Sequence, residues 1–317
     1  MAGPFLTKKG IVLAQTESAY ATDPGGWAGN HVIDTDKDTL DISWPAELEE
    51  RPFSATTFTK QVPVIAERAL EIALTVELKG SGVAGTAPRI GPLLRASGFL
   101  ETANPGVDVT YTLVTPFPAS ENSVALKCYI DAGYFLLLGA RGNPRFLLPK
   151  GKRLLGQFRF RGLYTGPVAE AIPSLTREGT AALLGKSATV TALGGTLTRA
   201  ISNIEFDLQN ELVDAPDPSK ADAIKEIYIL DRTVIGSLDP AIEQASDLTG
   251  DITLWNGRTK SDFSYVVGAA GNKLTISGKG MVINDPKLAD RGGARIFQHA
   301  FGMYGDTGDD ELQLKFE

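Results

Sequence analysis

The most chemistry-like pattern in the chain is a set of three glycines, Gly80, Gly82 and Gly85, with the G-x-G-x-x-G spacing of a dinucleotide-binding loop. Such a loop follows a buried parallel strand and opens a helix, so that backbone N–H groups hold a pyrophosphate. Here the preceding residues 70–79 alternate apolar and polar side chains, which is typical of a strand with one solvated face. Pro88 also interrupts the start of the required helix. A flexible glycine loop is the better interpretation, and nucleotide binding stays an alternative.

Residues suited to a metal or nucleophilic site are scarce. The chain has two histidines, His31 and His299, and one cysteine, Cys128. Neither histidine has a metal-ligand spacing, and we expect His299 to be a hydrogen-bonded structural residue and Cys128 a packed apolar one. The acidic run at 34–38 resembles the start of a calcium loop but lacks its glycine and its bidentate acid. The sequence therefore predicts no catalytic residue, no metal, no cofactor and no enzymatic activity.

Composition favours a protein that does not hold nucleic acid. The 317 residues include 31 Lys and Arg against 38 Asp and Glu, a net charge of −7, and 43% hydrophobic residues. An acidic surface repels phosphates, so stable DNA binding is not expected. The densest apolar run, 134–140, is too short to cross a bilayer, so we expect neither export nor membrane insertion.

Period-two alternation dominates the chain and indicates a mainly β fold. Further strands are predicted at 107–114, 124–130, 158–164, 224–234, 263–267, 273–281 and 312–316, with helices at 90–99 and 241–248. The polar side chains of two strands are candidates for a face that lines a lumen or its rim; an ordinary outer surface is the alternative. These residues are Glu71, Thr75, Glu77, Lys79, Arg159 and Arg161.

A strand-and-glycine pattern occurs twice. Residues 134–166 match 273–305, and a weaker match joins 38–44 to 203–208. The chain is therefore predicted to contain an N-terminal arm (1–37), a first β-sandwich domain (38–166), a linker (167–187) and a second sandwich (188–317). Equivalent structural positions are expected at Gly162 and Gly302, and at Tyr164 and Tyr304. We call 38–166 the first repeat and 188–317 the second repeat.

Several stretches together resemble a known family. They read KKGIVLAQTESAY at 8–20, ERP at 50–52, ELKGSGVAGTAP at 77–88, GPLLRASGF at 91–99 and GARG at 139–142, followed by Gly162, Leu163 and Tyr164. In combination they are similar to the major tail tube protein of long-tailed, non-contractile bacteriophages and prophages, most densely over 7–166. The resemblance implies two tandem tail-tube-like β-sandwiches, each flanked by a helix, in a ring with a large inner β-barrel. It implies no catalytic residues.

The resemblance also implies a function and partners. Rings, formed by three two-domain chains, would stack into a conduit through which double-stranded DNA passes without specific binding; the repeat alone also allows six chains. Expected partners are other copies of the chain, the tape-measure protein, the tail terminator and tail-tip proteins. The protein would be made in the host cytoplasm and reside in the virion. Alternatives are a tail-tip or capsid decoration protein, or an oxidoreductase using Gly80, Gly82 and Gly85.

One further expectation concerns segments outside the alternating strands. Residues 1–37 and 45–59 are polar and lack periodicity, so we expect them to bridge adjacent rings. Deletion of residues 1–20 should then leave each sandwich folded.

Overall fold

β-strands make up about half of the computed structural model, which describes residues 9–54, 56–115 and 122–317. The first twelve strands are β1 (Gly10–Thr16), β2 (Val32–Ile33), β3 (Asp41–Ser43), β4 (Ala46–Glu49), β5 (Val64–Arg68), β6 (Leu70–Glu77), β7 (Phe99–Asn104), β8 (Asp108–Leu113), β9 (Val124–Ile130), β10 (Gly133–Leu147), β11 (Leu155–Leu163) and β12 (Val168–Ala169). The rest are β13 (Thr189–Ala192), β14 (Gly195–Thr196), β15 (Ile204–Asp207), β16 (Glu211–Pro216), β17 (Ile224–Asp231), β18 (Ile235–Leu238), β19 (Ser261–Ala269), β20 (Asn272–Arg291), β21 (Ala294–Met303) and β22 (Gln313–Phe316). Two α-helices, α1 (Gly91–Arg95) and α2 (Ala245–Asn256), and a 3-10 turn at Gly29–His31 complete the elements of the described residues. The predicted mainly β class is confirmed.

A large antiparallel sheet, which we call the central sheet, runs through both repeats. Its strand order is β3, β6, β11, β10, β15, β18, β21 and β20. The first four strands belong to the first repeat and the last four to the second, and each set has the same order of corresponding strands. Among the described residues, β3 at one end of this order does not pair with β20 at the other, so the central sheet is open within one chain.

The two longest strands, β10 and β20, leave the central sheet and continue into outer sheets. The change of sheet occurs next to Gly139 (φ +60°) and Gly280 (φ +68°), both in the left-handed region. A Cβ at Gly139 would lie 2.6 Å from the Tyr20 ring, and one at Gly280 would lie 2.8 Å from the Gly305 nitrogen. These bends therefore require glycine, which explains why glycines mark the repeat.

The outer sheets join the repeats more closely than the predicted tandem domains suggest. The first comprises β2, β1, β9, the first half of β10, and β12. The second comprises β7, β8, β22, the first half of β20, β19, β13 and β14. Because β8 of the first repeat pairs with β22 of the second, one continuous apolar core includes side chains from both repeats.

The N-terminal segment was predicted to be an arm, and over its described part this is wrong. β1 pairs with β9 along its whole length, and Val12 and Leu13 are fully buried. β1 is covered on both faces, so it has a short apolar run instead of alternation. Residues 1–8 lie outside the described part of the chain.

Both predicted helices exist, but their bounds differ. The first is only Gly91–Arg95, because Gly98 takes φ +92° and the chain turns into β7. The second begins at Ala245, where the Asp247 carboxylate accepts the backbone N–H groups of Glu243 and Gln244, both at 3.0 Å. This cap fixes the start of α2 later than the apolar pattern suggested.

Candidate assembly interface

The polar face of the central sheet is crossed by ion pairs. On β6 and β11, Glu71 accepts a hydrogen bond from Arg159 at 2.5 Å and one from Arg161 at 2.9 Å. Burial alone would raise the pKa of Glu71, but its bonds to the two arginines outweigh this and lower the pKa below its ordinary value. This part of the predicted face is therefore charged and held by ion pairs.

Two of the candidate lumen residues do not reach the surface. Thr75 and Lys79 are each 8% exposed, because residues 34–39 cover the end of β6. Lys79 pairs there with Asp34 at 3.1 Å. The prediction that Thr75 and Lys79 contribute to an open face is therefore corrected. Glu77 stays half-buried and pairs with Arg153 at 2.8 Å.

The strand pairings allow the repeats to be aligned residue by residue. The aligned anchors are Phe160 and Phe301, which are buried in corresponding strands, together with Pro144 and Pro286 on the neighbouring strands. This alignment matches Gly139 with Gly280.

In this structural alignment Gly162 and Gly302 are not equivalent, and neither are Tyr164 and Tyr304. Each has a counterpart one position away from the one that the sequence match gives. Gly162 corresponds to Met303 and Gly302 to Arg161, while Tyr304 corresponds to Leu163, the neighbour of Tyr164. A Cβ at Gly162 would lie 2.5 Å from the Leu137 side chain, and one at Gly302 would lie 2.9 Å from the Tyr304 ring. The two glycines thus have different close neighbours.

The glycine-rich stretch 80–85 has a packing explanation. Its strand, β6, lies between antiparallel β3 and β11, not in a parallel sheet, and the following helix α1 has five residues. The Gly80 N–H donates to Asn272 Oδ1 at 2.9 Å, and a Cβ at Gly85 would lie 2.3 Å from the Asn104 carbonyl oxygen. The glycines permit close backbone contacts, and the setting lacks the helix N-terminus that a pyrophosphate needs.

His299 and Cys128, two residues whose side chains are common in catalytic and metal sites, are packed in the interior. His299 is fully buried, with Nε2 2.9 Å from Asp251 Oδ2 and its ring stacked on Phe297, as predicted. Cys128 is also fully buried, and burial raises the pKa of its thiol, which confirms a packed cysteine. In the part of the chain that the structure describes, no three His, Cys, Asp or Glu side chains are grouped to hold a metal ion. No helix there is both long and apolar enough to cross a bilayer.

The junction between the repeats is an antiparallel strand pair. Phe146 of β10 lies opposite Phe206 of β15, and both side chains are fully buried. On the same core-facing side, Leu148 and Leu208 are 3% and 0% exposed. The junction therefore joins the two halves of the central sheet by backbone pairing and by a shared apolar interior.

The outer edges of the central sheet carry the corresponding residues without cover. β3 corresponds to β15, so Ile42 and Trp44 take the places of Phe206 and Leu208; Trp44 is 50% exposed. At the other edge Leu288 of β20 takes the place of Phe146 and is 60% exposed. The two edges are the complementary halves of a contact that the chain already makes once internally.

A groove opens beside the first of these edges. It has a volume of about 470 Å³ and runs between β3 and the ends of β1 and β9, with Leu40, Ile42, Trp44 and Ile130 among its lining residues. In the second repeat the equivalent space beside β15 is filled by Phe146 and Leu148 of the first repeat. The groove is therefore the uncovered end of a sandwich.

Sequence reasoning found the doubled unit and its alternating faces but not these edges. Leu288 and Trp44 are large apolar residues at alternating positions, which the pattern alone assigns to a core. Only the strand order reveals that each lies at an edge. Neither the protein-family models nor the curated proteins include a significant match to the chain.

Proposed function

We propose that the chain is a structural subunit that polymerises edge to edge into rings, and that the rings stack into the tail tube of a bacteriophage. The observation that carries this proposal is the pair of uncovered central-sheet edges, which correspond to the two sides of the internal β10–β15 junction. Unpaired N–H and C=O groups along such edges favour pairing with another chain. A contact between different surfaces repeats from copy to copy and closes into a ring if the rotation allows.

The internal junction gives the register of the contact between copies. Arg145, Phe146 and Leu147 lie opposite Asp207, Phe206 and Glu205. Transferred to the outer edges, the same register pairs Lys287 with Ser43, Leu288 with Ile42 and Ala289 with Asp41. Leu288 would then cover the groove beside β3, as Phe146 covers the space beside β15.

Ring closure would create a barrel with a wide interior. Three copies would contribute roughly 24 central-sheet strands, more than the 16–18 that already leave an aqueous channel. The polar face with Glu71, Glu77, Arg159 and Arg161 is our candidate for the lumen. The whole chain has a net charge of −7, which disfavours retention of DNA, while the two acids and two arginines named on this face balance each other.

The first prediction concerns Leu288→Asp. In concentrated solution the unaltered chain should form hollow tubes by negative-stain electron microscopy, and the variant should not. Burial of one leucine is worth about 1.5–3 kcal/mol, so the concentration needed for assembly should rise by about tenfold to a hundredfold. Val107→Asp, at a 61% exposed valine in the β7–β8 turn, is the matched control and should assemble normally.

A cross-link tests the register independently of the tubes. Cysteines at Ser43 and Lys287 should form disulfides between chains on oxidation, whereas cysteines at Asp41 and Lys287, diagonal in this register, should do so far less. The number of chains at which the covalent series stops gives the ring size. Discrete closed particles without tubes would favour a tail-tip or decoration protein. A chain that stays monomeric even in concentrated solution would contradict the proposal.

A further inference from the structure

A hairpin of the second repeat, β16–β17, is seated on the first repeat. Its Glu226 carboxylate accepts a hydrogen bond from Arg141 at 2.8 Å, in a pair that is almost fully buried. The Ile227 N–H donates to the Tyr20 hydroxyl at 2.8 Å. Ile227 itself is fully buried, in a cluster that includes Ala69. The hairpin is thus docked by apolar contact, a buried ion pair and a backbone hydrogen bond.

The first repeat contains the same hairpin, β4–β5. In one hairpin Leu48 pairs with Ile65, and in the other Leu212 pairs with Ile229; the same stretch of chain separates the two residues in each. Each hairpin also has a register shift immediately before this leucine, and β16–β17 has a second one further along. The two hairpins are therefore equivalent elements.

The β4–β5 hairpin lacks the cover that its counterpart has. Its apolar side chains are exposed within the chain: Leu48 by 56%, Val62 by 77%, Val64 by 48% and Ile65 by 60%. Strand pairing stops at Glu49 and Val64, whereas in the docked hairpin it continues to Pro216 and Ile224. Exposed apolar side chains and shorter strand pairing are typical of an element that is buried only when another chain binds to it.

The two residues of the buried ion pair that docks β16–β17 both differ at the corresponding positions of the β4–β5 hairpin and the second repeat. In the aligned repeats, Arg141 corresponds to Val282 and its partner Glu226 corresponds to Val62. An ion pair in one setting thus corresponds to two valines in the other; within one chain Val62 is 77% exposed and Val282 is 4% exposed. A single unmatched replacement would leave a buried charge without its partner, which is costly.

A second replacement follows the same logic. Ile227 corresponds to Pro63, which has no backbone N–H to donate. The hydroxyl that accepts the Ile227 N–H belongs to Tyr20, which lies before the first repeat. Because Pro63 has no N–H, the β4–β5 hairpin needs no such acceptor.

We infer that the β4–β5 hairpin docks on the second repeat of an adjacent copy of this chain, with Val62 against Val282, in the pose that β16–β17 takes on the first repeat. This inference rests on the proposed ring. Ser43 of β3 is followed closely by β4, just as β15 is followed by β16. Once β3 pairs with β20 of the adjacent copy, the hairpin is therefore carried to the surface beside β20.

The test restores the ion pair between copies. Val62→Glu places an acid on an exposed hairpin, so the free chain should melt normally, but assembly should require at least about tenfold more protein. The double variant Val62→Glu with Val282→Arg should recover most of this loss, because it recreates the Arg141–Glu226 pair. Val107→Glu is the control for an added exposed acid.

A cross-link keeps the inference testable if Val282→Arg does not fold. Leu48→Cys with Tyr304→Cys uses two exposed positions, the second corresponding to Leu163 beside the docked hairpin. A short thiol-reactive linker should join chains through this pair, and not through Leu48→Cys with Val107→Cys. Edge disulfides between positions 43 and 287 without this hairpin cross-link would overturn the inference and leave the ring intact. Loss of both would overturn the ring itself.

Discussion

Asp251 is a carboxylate held in the interior by two basic side chains. Arg199 donates to both of its oxygens at 2.9 Å, and His299 Nε2 lies 2.9 Å from Oδ2. Burial alone would raise the pKa of Asp251, but the bonds to His299 and Arg199 outweigh it and lower the pKa below 3.8. The ionised carboxylate therefore links helix α2 to β21 and to the segment before β15.

This lowered pKa predicts a specific pH dependence. Because the folded-state pKa lies below the unfolded one, the ionised Asp251 contributes stability above the unfolded value, and this is lost as pH falls through the folded value. Asp251→Asn should therefore lower the melting temperature at pH 7, and its difference from the unaltered chain should shrink as pH falls below about 4. Thermal melts from pH 7 to pH 3 measure this. Asp262→Asn, at an exposed ion pair with Lys279, is the control; a difference that does not vary with pH would contradict the assignment.

At the scale of elements, β1 is the part of the structure whose role changes most from the sequence-based expectation. It lies between β2 and β9, and its central residues belong to the interior. Deletion of residues 1–20 would expose the edge of β9 and remove Val12 from the core. We therefore expect loss of folding, not a folded sandwich that only fails to assemble.

A point variant tests the role of β1 without deletion. Leu13→Ala removes a fully buried side chain and should lower the free energy of unfolding by about 2–5 kcal/mol, measured by urea titration. Lys9→Ala removes an exposed ion pair with Asp131 and should cost at most about 1 kcal/mol. Equal effects of the two variants would mean that β1 is peripheral after all.

At the scale of the whole molecule, the repeats are joined by strand pairing at two places instead of standing apart. β8 pairs with β22 in an outer sheet, and β10 pairs with β15 in the central sheet. The apolar core is continuous across both junctions. Neither repeat can therefore bury its interior without the other.

The chain should consequently unfold in one step despite its doubled pattern. Calorimetry is expected to give a single transition with equal calorimetric and van't Hoff enthalpies. Phe206→Ala, at the β10–β15 junction, should shift that whole transition to lower temperature. Two transitions, only one of which responds to Phe206→Ala, would show that the repeats are independent.

The sequence by itself determined the local features of this protein. Period-two alternation identified strands such as Val124–Ile130 to the residue, and the lone cysteine and buried His299 were correctly expected to be structural. Glycines of the repeat lie at the bends of β10 and β20, because a left-handed turn next to close backbone requires glycine, but the sequence match set Gly139 against Gly278 and the second bend is at Gly280. These features depend on a residue and its near neighbours along the chain.

Only the tertiary structure decided which strands are neighbours and which apolar residues are left at an edge. Alternation states which side of a strand is apolar but carries no information on its partner, so Leu288 and Phe146 look alike in sequence although one is 60% exposed and the other buried. The place of β1 and the pairing of β8 with β22 were hidden for the same reason. Pairing between distant strands is chosen by the fit of the complete core, and that choice is what leaves two matching edges and one uncovered hairpin.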